Sequence, residues 1–125
     1  MIVGLGIDVV ESRVFARELA RRQWVAKDGI FTPAEIAYCN GGKPPERRYA
    51  ACFAAKEAVL KALGTEIADL EIFREVEVEL VSSTEYKVVV HDRLQAIAAH
   101  LGARRINLSL AVAKKNVGAL AIVES

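Results

Sequence analysis

Phe53-Ala54-Ala55-Lys56-Glu57-Ala58-Val59-Leu60-Lys61-Ala62-Leu63-Gly64 is the stretch on which the fold turns. Its apolar spacing is that of a helix. Phe53, Glu57 and Lys61 stand four residues apart and share one face. Ala54, Ala55, Ala58 and Ala62 are small enough for close packing around the rest of the helix. Gly64 falls where a left-handed residue would close it. A carboxylate and an ammonium one turn apart on an apolar helix fit two readings. They can hold a metal ion and a phosphate, or they can form an ordinary i, i+4 ion pair.

Working outward, residues 45–52 lead into this helix behind Pro44-Pro45. Upstream, Thr32-Pro33-Ala34-Glu35 is a helix start with Thr at the N-cap, Pro at the first position and Glu closing a capping box. That helix ends near Gly41-Gly42. Residues 2–9 read as a strand, with Val3, Leu5, Ile7 and Val9 on one face and Gly4, Gly6 and Asp8 on the other. The glycine face admits something close to the backbone, with Asp8 at its end. Ser12 is placed to cap a following helix that runs to about Val25. On that helix Arg13, Arg17 and Arg21 line one face, with Trp24 on the same side and Phe15 and Leu19 turned away. Such a stripe suits an acidic partner, or is simply a solvated face.

Downstream of Gly64 the period changes to two. Val76, Val78 and Leu80 alternate with Glu75, Glu77 and Glu79, the expected wet face of a strand. Residues 86–90 read as its hairpin partner. A helix over residues 92–101 closes at Gly102, with His100 near its C-terminus. Two further strands, 106–112 and 117–123, turn at Lys114-Lys115-Asn116. The order is strand, three helices, hairpin, helix, hairpin. It predicts an α+β fold, an antiparallel sheet packed with helices, in one domain over residues 1–125.

Composition narrows the classes. The chain has 125 residues, 53% of them hydrophobic, and a net charge of +1, which gives no general case for nucleic acid. No run reaches the length of a membrane span. The N-terminus lacks a signal-peptide pattern, and Cys39 and Cys52 make no disulfide framework, so a cytoplasmic protein with free thiols is expected. Cys52 reads as a packed small residue. No Cys/His ligand cluster, P-loop or nucleophile elbow is present, and Gly4-x-Gly6 lacks the rest of a dinucleotide fingerprint. Asp8 and Glu57 are the carboxylates to pair, since hard cations take one or two carboxylates plus water and phosphates. Spacing alone does not bring them together.

Gly4-Leu5-Gly6-Ile7-Asp8-Val9-Val10-Glu11 followed by the segment at 53–64 resembles the holo-[acyl-carrier-protein] synthases, the short 4′-phosphopantetheinyl transferases. Phe31-Thr32-Pro33-Ala34-Glu35 matches the same family's helix start. The resemblance implies transfer of phosphopantetheine from coenzyme A to a serine of an apo acyl carrier protein, releasing adenosine 3′,5′-bisphosphate. It implies Mg²⁺ on Asp8 and Glu57, catalytic roles for Glu57 and Lys61, and coenzyme A contacts from Lys56, Lys61 and Gly64. It implies a carrier docked on Arg13, Arg17 and Arg21, and a homotrimer with coenzyme A between subunits. Glu57 is also expected to help deprotonate the serine. Three departures stand out: Cys52 where the family has Arg, Ala111-Val112 where it has Ser-His, and an altered segment at 65–69. They keep two alternatives open, a non-catalytic binder of a carrier protein or nucleotide and a transferase dedicated to a secondary-pathway carrier.

Overall fold

A computed structural model describes residues 1–26, 29–82 and 85–125. In chain order it contains β1 (Ile2–Glu11), α1 (Ser12–Arg21), α2 (Pro33–Asn40), α3 (Pro45–Ala62), β2 (Val76–Leu80), β3 (Tyr86–Val90), α4 (Asp92–His100), β4 (Arg105–Val112) and β5 (Asn116–Glu124). A 3-10 turn over Leu70–Glu75 precedes β2. The α+β order expected from the patterning holds, with strand and helix ends within about two residues except at α1.

β1 crosses the chain to pair antiparallel with β5, giving a sheet of order β1-β5-β4. β2 and β3 form a separate hairpin. The register sets Gly4 opposite Val123, Gly6 opposite Ala121 and Asp8 opposite Ala119. These residues share the inner face, and α3 lies across it. A Cβ on Gly4 would stand 1.9 Å from Ala62 O, and one on Gly6 would stand 1.9 Å from Ala58 O. What the glycine face admits is therefore the backbone of α3. Ala54, Ala58 and Ala62 are buried at that contact, as are Ala119 and Ala121 of β5. Small residues on both sides let helix and sheet approach much closer than Leu or Val would allow.

The outer face of the same sheet is apolar and open. Leu5, Ile7 and Val9 are 57%, 58% and 67% exposed. Across the register stand half-buried Ile122 and Leu120.

Local signals explain the helix ends. The Thr32–Glu35 capping box forms in full, Thr32 Oγ1 accepting from Glu35 N while Glu35 accepts from Thr32 N. α3 closes in a Schellman motif: Thr65 N donates to Leu60 O, Gly64 N donates to Lys61 O, and Gly64 has φ +69°.

Three local expectations are corrected. Ser12 is the first residue inside α1 rather than its cap, because its N–H is taken by Lys115 O and Glu11 occupies the cap position. α1 ends at Arg21, and Gln23 turns the chain with φ +53°. Trp24 is thereby carried off the arginine face into a stack with Phe15 and Phe53, at 5.8 and 5.3 Å between centroids. Glu75 is not on a wet strand face. It ends the 3-10 turn, is buried, and accepts from Arg93 Nε at 2.7 Å and Leu94 N at 3.3 Å.

Candidate active site

The close β1–α3 contact delivers Asp8 to Glu57 and Lys61. Asp8 follows Gly6 on the inner face, and Glu57 and Lys61 stand one turn apart on α3. Lys61 Nζ donates to Asp8 Oδ1 at 3.1 Å and to Ile7 O at 3.0 Å. The i, i+4 alternative is thus displaced: the ammonium bonds the strand, and Glu57 feels it only as a nearby positive charge. The Asp8 side chain is 10% exposed and that of Lys61 52%, so the carboxylate is sheltered while the ammonium borders solvent.

Glu57 is half-buried, and its carboxyl is pushed up to about 7. Burial is the largest cause. The adjoining Asp8 carboxyl comes next, through a shared hydrogen bond and charge repulsion, and Lys61 partly opposes both. Such a hydrogen bond needs a proton on one carboxyl. With both ionised, two acceptors face each other, and Asp8 Oδ2 is buried without a partner among the described residues. Two adjoining oxygen donors and an orphaned buried oxygen are what a hard divalent cation would satisfy. No third His, Cys, Asp or Glu joins them among the described residues, so water or substrate oxygens would complete such a shell. The residues present fit Mg²⁺.

Gly64 stands at the same end of α3 as Lys61, and a Cβ there would meet nothing within 4 Å. Beside it, Thr65 Oγ1 is buried and lacks a partner among the described residues. No pattern singles out Thr65, since a lone hydroxyl after a helix carries no periodic signal.

Lys56 requires a correction. It was expected at coenzyme A, but it is fully buried, and its ammonium is bound to Glu35 Oε1 at 2.7 Å, Phe73 O at 2.7 Å and Val76 O. It is Glu57's immediate neighbour in sequence, but roughly 100° of helix turn sends it into the core.

On α1, Arg13 and Arg17 are exposed. Arg21 is exposed too and pairs with Glu18 at 2.8 Å, a carboxylate that Arg22 also holds. The two departures far apart in sequence meet in space. Cys52 and Val112 line one cavity of about 110 Å³, with Arg47 and Arg48 in its wall.

This fold and this pairing define a family. Residues 4–114 match the family model of the 4′-phosphopantetheinyl transferase superfamily, and the chain belongs to it. More particularly, it is 36% identical over 120 residues to a holo-[acyl-carrier-protein] synthase of Moorella thermoacetica, covering 96% of this chain and 92% of that one. The solved holo-[acyl-carrier-protein] synthase of Neisseria meningitidis superposes with TM-score 0.86 at 27% identity, over 100% of both chains. That of Bacillus anthracis, solved in complex with CoA (3′,5′-ADP), gives TM-score 0.78 at 28% identity, over 100% of this chain and 98% of that one.

Proposed function

We propose that the chain is a Mg²⁺-dependent holo-[acyl-carrier-protein] synthase acting as one transferase domain. It moves 4′-phosphopantetheine from coenzyme A to a serine of an apo acyl carrier protein, the carrier of fatty-acid synthesis. The observation that carries this reading is the meeting of Asp8, Glu57 and Lys61 from two motifs, with Lys61 and Asp8 bonded across 53 residues of sequence.

The serine oxygen forms the new bond to phosphorus, and the bond to the bridging pyrophosphate oxygen breaks. Adenosine 3′,5′-bisphosphate leaves, and Glu57 takes the serine proton. Asp8 and Glu57 would hold Mg²⁺, whose chemistry when bound is to neutralise charge on the pyrophosphate. Lys61 is exposed enough to turn its ammonium from Ile7 O to a phosphate oxygen and stabilise charge that grows during transfer. Gly64 leaves open backbone beside Lys61 for the nucleotide end. Arg13, Arg17 and Arg21 dock the acidic carrier on the face opposite Phe15 and Leu19.

The open apolar row of Leu5, Ile7 and Val9 supports burial between protomers of a homotrimer, with coenzyme A in the cleft between subunits. Both cysteines are free and buried, which fits the reducing cytoplasm, and among the described residues no helix is long and apolar enough to cross a membrane. A transferase tuned to another carrier, or gripping coenzyme A differently, is the second reading. It is favoured by Cys52 and Val112 sharing one cavity wall.

The test mixes the protein, coenzyme A and Mg²⁺ with several apo carrier proteins and weighs the carriers by mass spectrometry. A phosphopantetheine adduct is expected, and Asp8→Ala should nearly abolish it. No adduct on any carrier sinks the reading, and full activity of Asp8→Ala sinks the metal role.

A further inference from the structure

α3 meets the candidate site through Glu57 and meets the interior through Lys56. An ammonium has three N–H donors, and Lys56 spends all three on Glu35 Oε1, Phe73 O and Val76 O. Glu35, 2% exposed, is equally committed. Its Oε1 also accepts from Thr32 N at 2.8 Å, and its Oε2 accepts from Val78 N at 2.8 Å. One ion pair therefore joins the start of α2, the middle of α3, the 3-10 turn and β2. Glu35 carries a capping-box role and this second one together.

The geometry gives the pair mechanical leverage on Glu57. Side-chain tips lie about 5–6 Å from a helix axis, so a 10° rotation of α3 moves them about 1 Å. Lengthening a 2.7 Å hydrogen bond by about 1 Å takes it outside bonding range. Lys56 thus resists rotation of α3 on the scale of ~10–20° that a working constellation tolerates. The glycine contacts set how far α3 lies from β1. Beside the apolar packing around α3, Lys56 adds a directional polar constraint on its rotation at the residue next to Glu57.

We propose that Lys56 and Glu35 are positioning residues for the transfer site, fixing the rotation of α3 and with it the placement of Glu57 against Asp8. The inference rests on Asp8 and Glu57 being the Mg²⁺ ligands. A purely structural pair would change stability alone. A positioning pair also weakens cation binding and lowers kcat in molecules that are folded.

Mn²⁺ is titrated, without coenzyme A, into the full chain and its variants, and bound ion is read by electron paramagnetic resonance. Lys56→Met, folded by circular dichroism, should bind Mn²⁺ at least about tenfold more weakly and lose kcat by a similar factor. Its KM for the carrier should stay within about twofold, because α1 carries that contact. Glu35→Gln keeps an acceptor for Lys56 and should show a smaller loss of both. Parental Mn²⁺ affinity and kcat in folded Lys56→Met would overturn the proposal. If Lys56→Met does not fold, the same parental values in folded Glu35→Gln overturn it. Mn²⁺ binding untouched by Asp8→Asn removes the metal reading and this inference together. Binding lost in Asp8→Asn but intact in Lys56→Met removes this inference alone.

Discussion

Gly6→Ala is the sharpest perturbation of the β1–α3 contact. The added Cβ would stand 1.9 Å from Ala58 O and 2.7 Å from Ala62 N. Ordinary contact begins near 3.4 Å, so strand and helix must part by about 1.5 Å along that line. Both partners are backbone, and no rotamer change relieves the clash. Overpacking against side chains costs about 1–3 kcal/mol, so the backbone case belongs at the upper end, about 3 kcal/mol. Asp8 lies two residues beyond on the same face and moves with the strand. A displacement of about 1 Å at a reacting centre costs about 100-fold in rate. Urea unfolding at fixed protein concentration should show a lower midpoint with an unchanged slope, and kcat/KM of the folded enzyme should fall about 100-fold. Gly42→Ala is the comparator. Its Cβ would meet the flexible Arg48 side chain at 2.9 Å, and it should cost less than about 1 kcal/mol. A Gly6→Ala protein within about 0.5 kcal/mol of its parent and fully active would refute the close-contact account.

Three further outcomes follow from the site and its surroundings. The Glu57 carboxyl sits at about 7 in the metal-free fold against an ordinary 4.5, so the fold binds its proton more tightly than the unfolded chain does. Stability should therefore fall as pH rises from about 4.5 to about 7, by on the order of 2 kcal/mol, and Glu57→Gln should flatten that slope in denaturant melts; an unchanged slope would contradict the assignment. Arg17→Glu should weaken carrier binding about tenfold in a salt-sensitive way while leaving coenzyme A binding intact, as read by calorimetry; equal carrier binding removes the docking face. Ile7→Glu places a charge in the middle of the exposed apolar row and should leave a folded monomer in sedimentation; an unchanged assembly would show that the row is not the subunit interface.

Much of this architecture is legible in the residues because it is local. Period two marks β1, the Thr32–Glu35 box starts α2, and Gly64 stops α3, each through neighbours a few positions away. What departs from the local pattern does so for the opposite reason. Trp24 leaves the arginine face because the helix ends before Gln23, and Glu75 leaves the strand alternation because its partner Arg93 lies on α4. Lys56 is the most instructive departure. α3 is covered by the sheet, by α2 and by β2, and residues from Tyr49 to Ala62 are buried nearly all round it. The polar stripe of such a helix is narrow, Glu57 and Lys61 alone between Tyr49 and Ala62, so a lysine among alanines beside it looks the same whether it points at substrate or core. The site was legible as two motifs, but their meeting was not, because nothing in either specifies that β1 pairs with β5. That pairing, the glycine contacts and the buried Lys56–Glu35 pair each remove a different freedom of α3 relative to Asp8: its partner surface, its distance and its rotation. The conspicuous motif residues need all three before Glu57 and Asp8 can share an ion, and two of the three are carried by residues that never touch it.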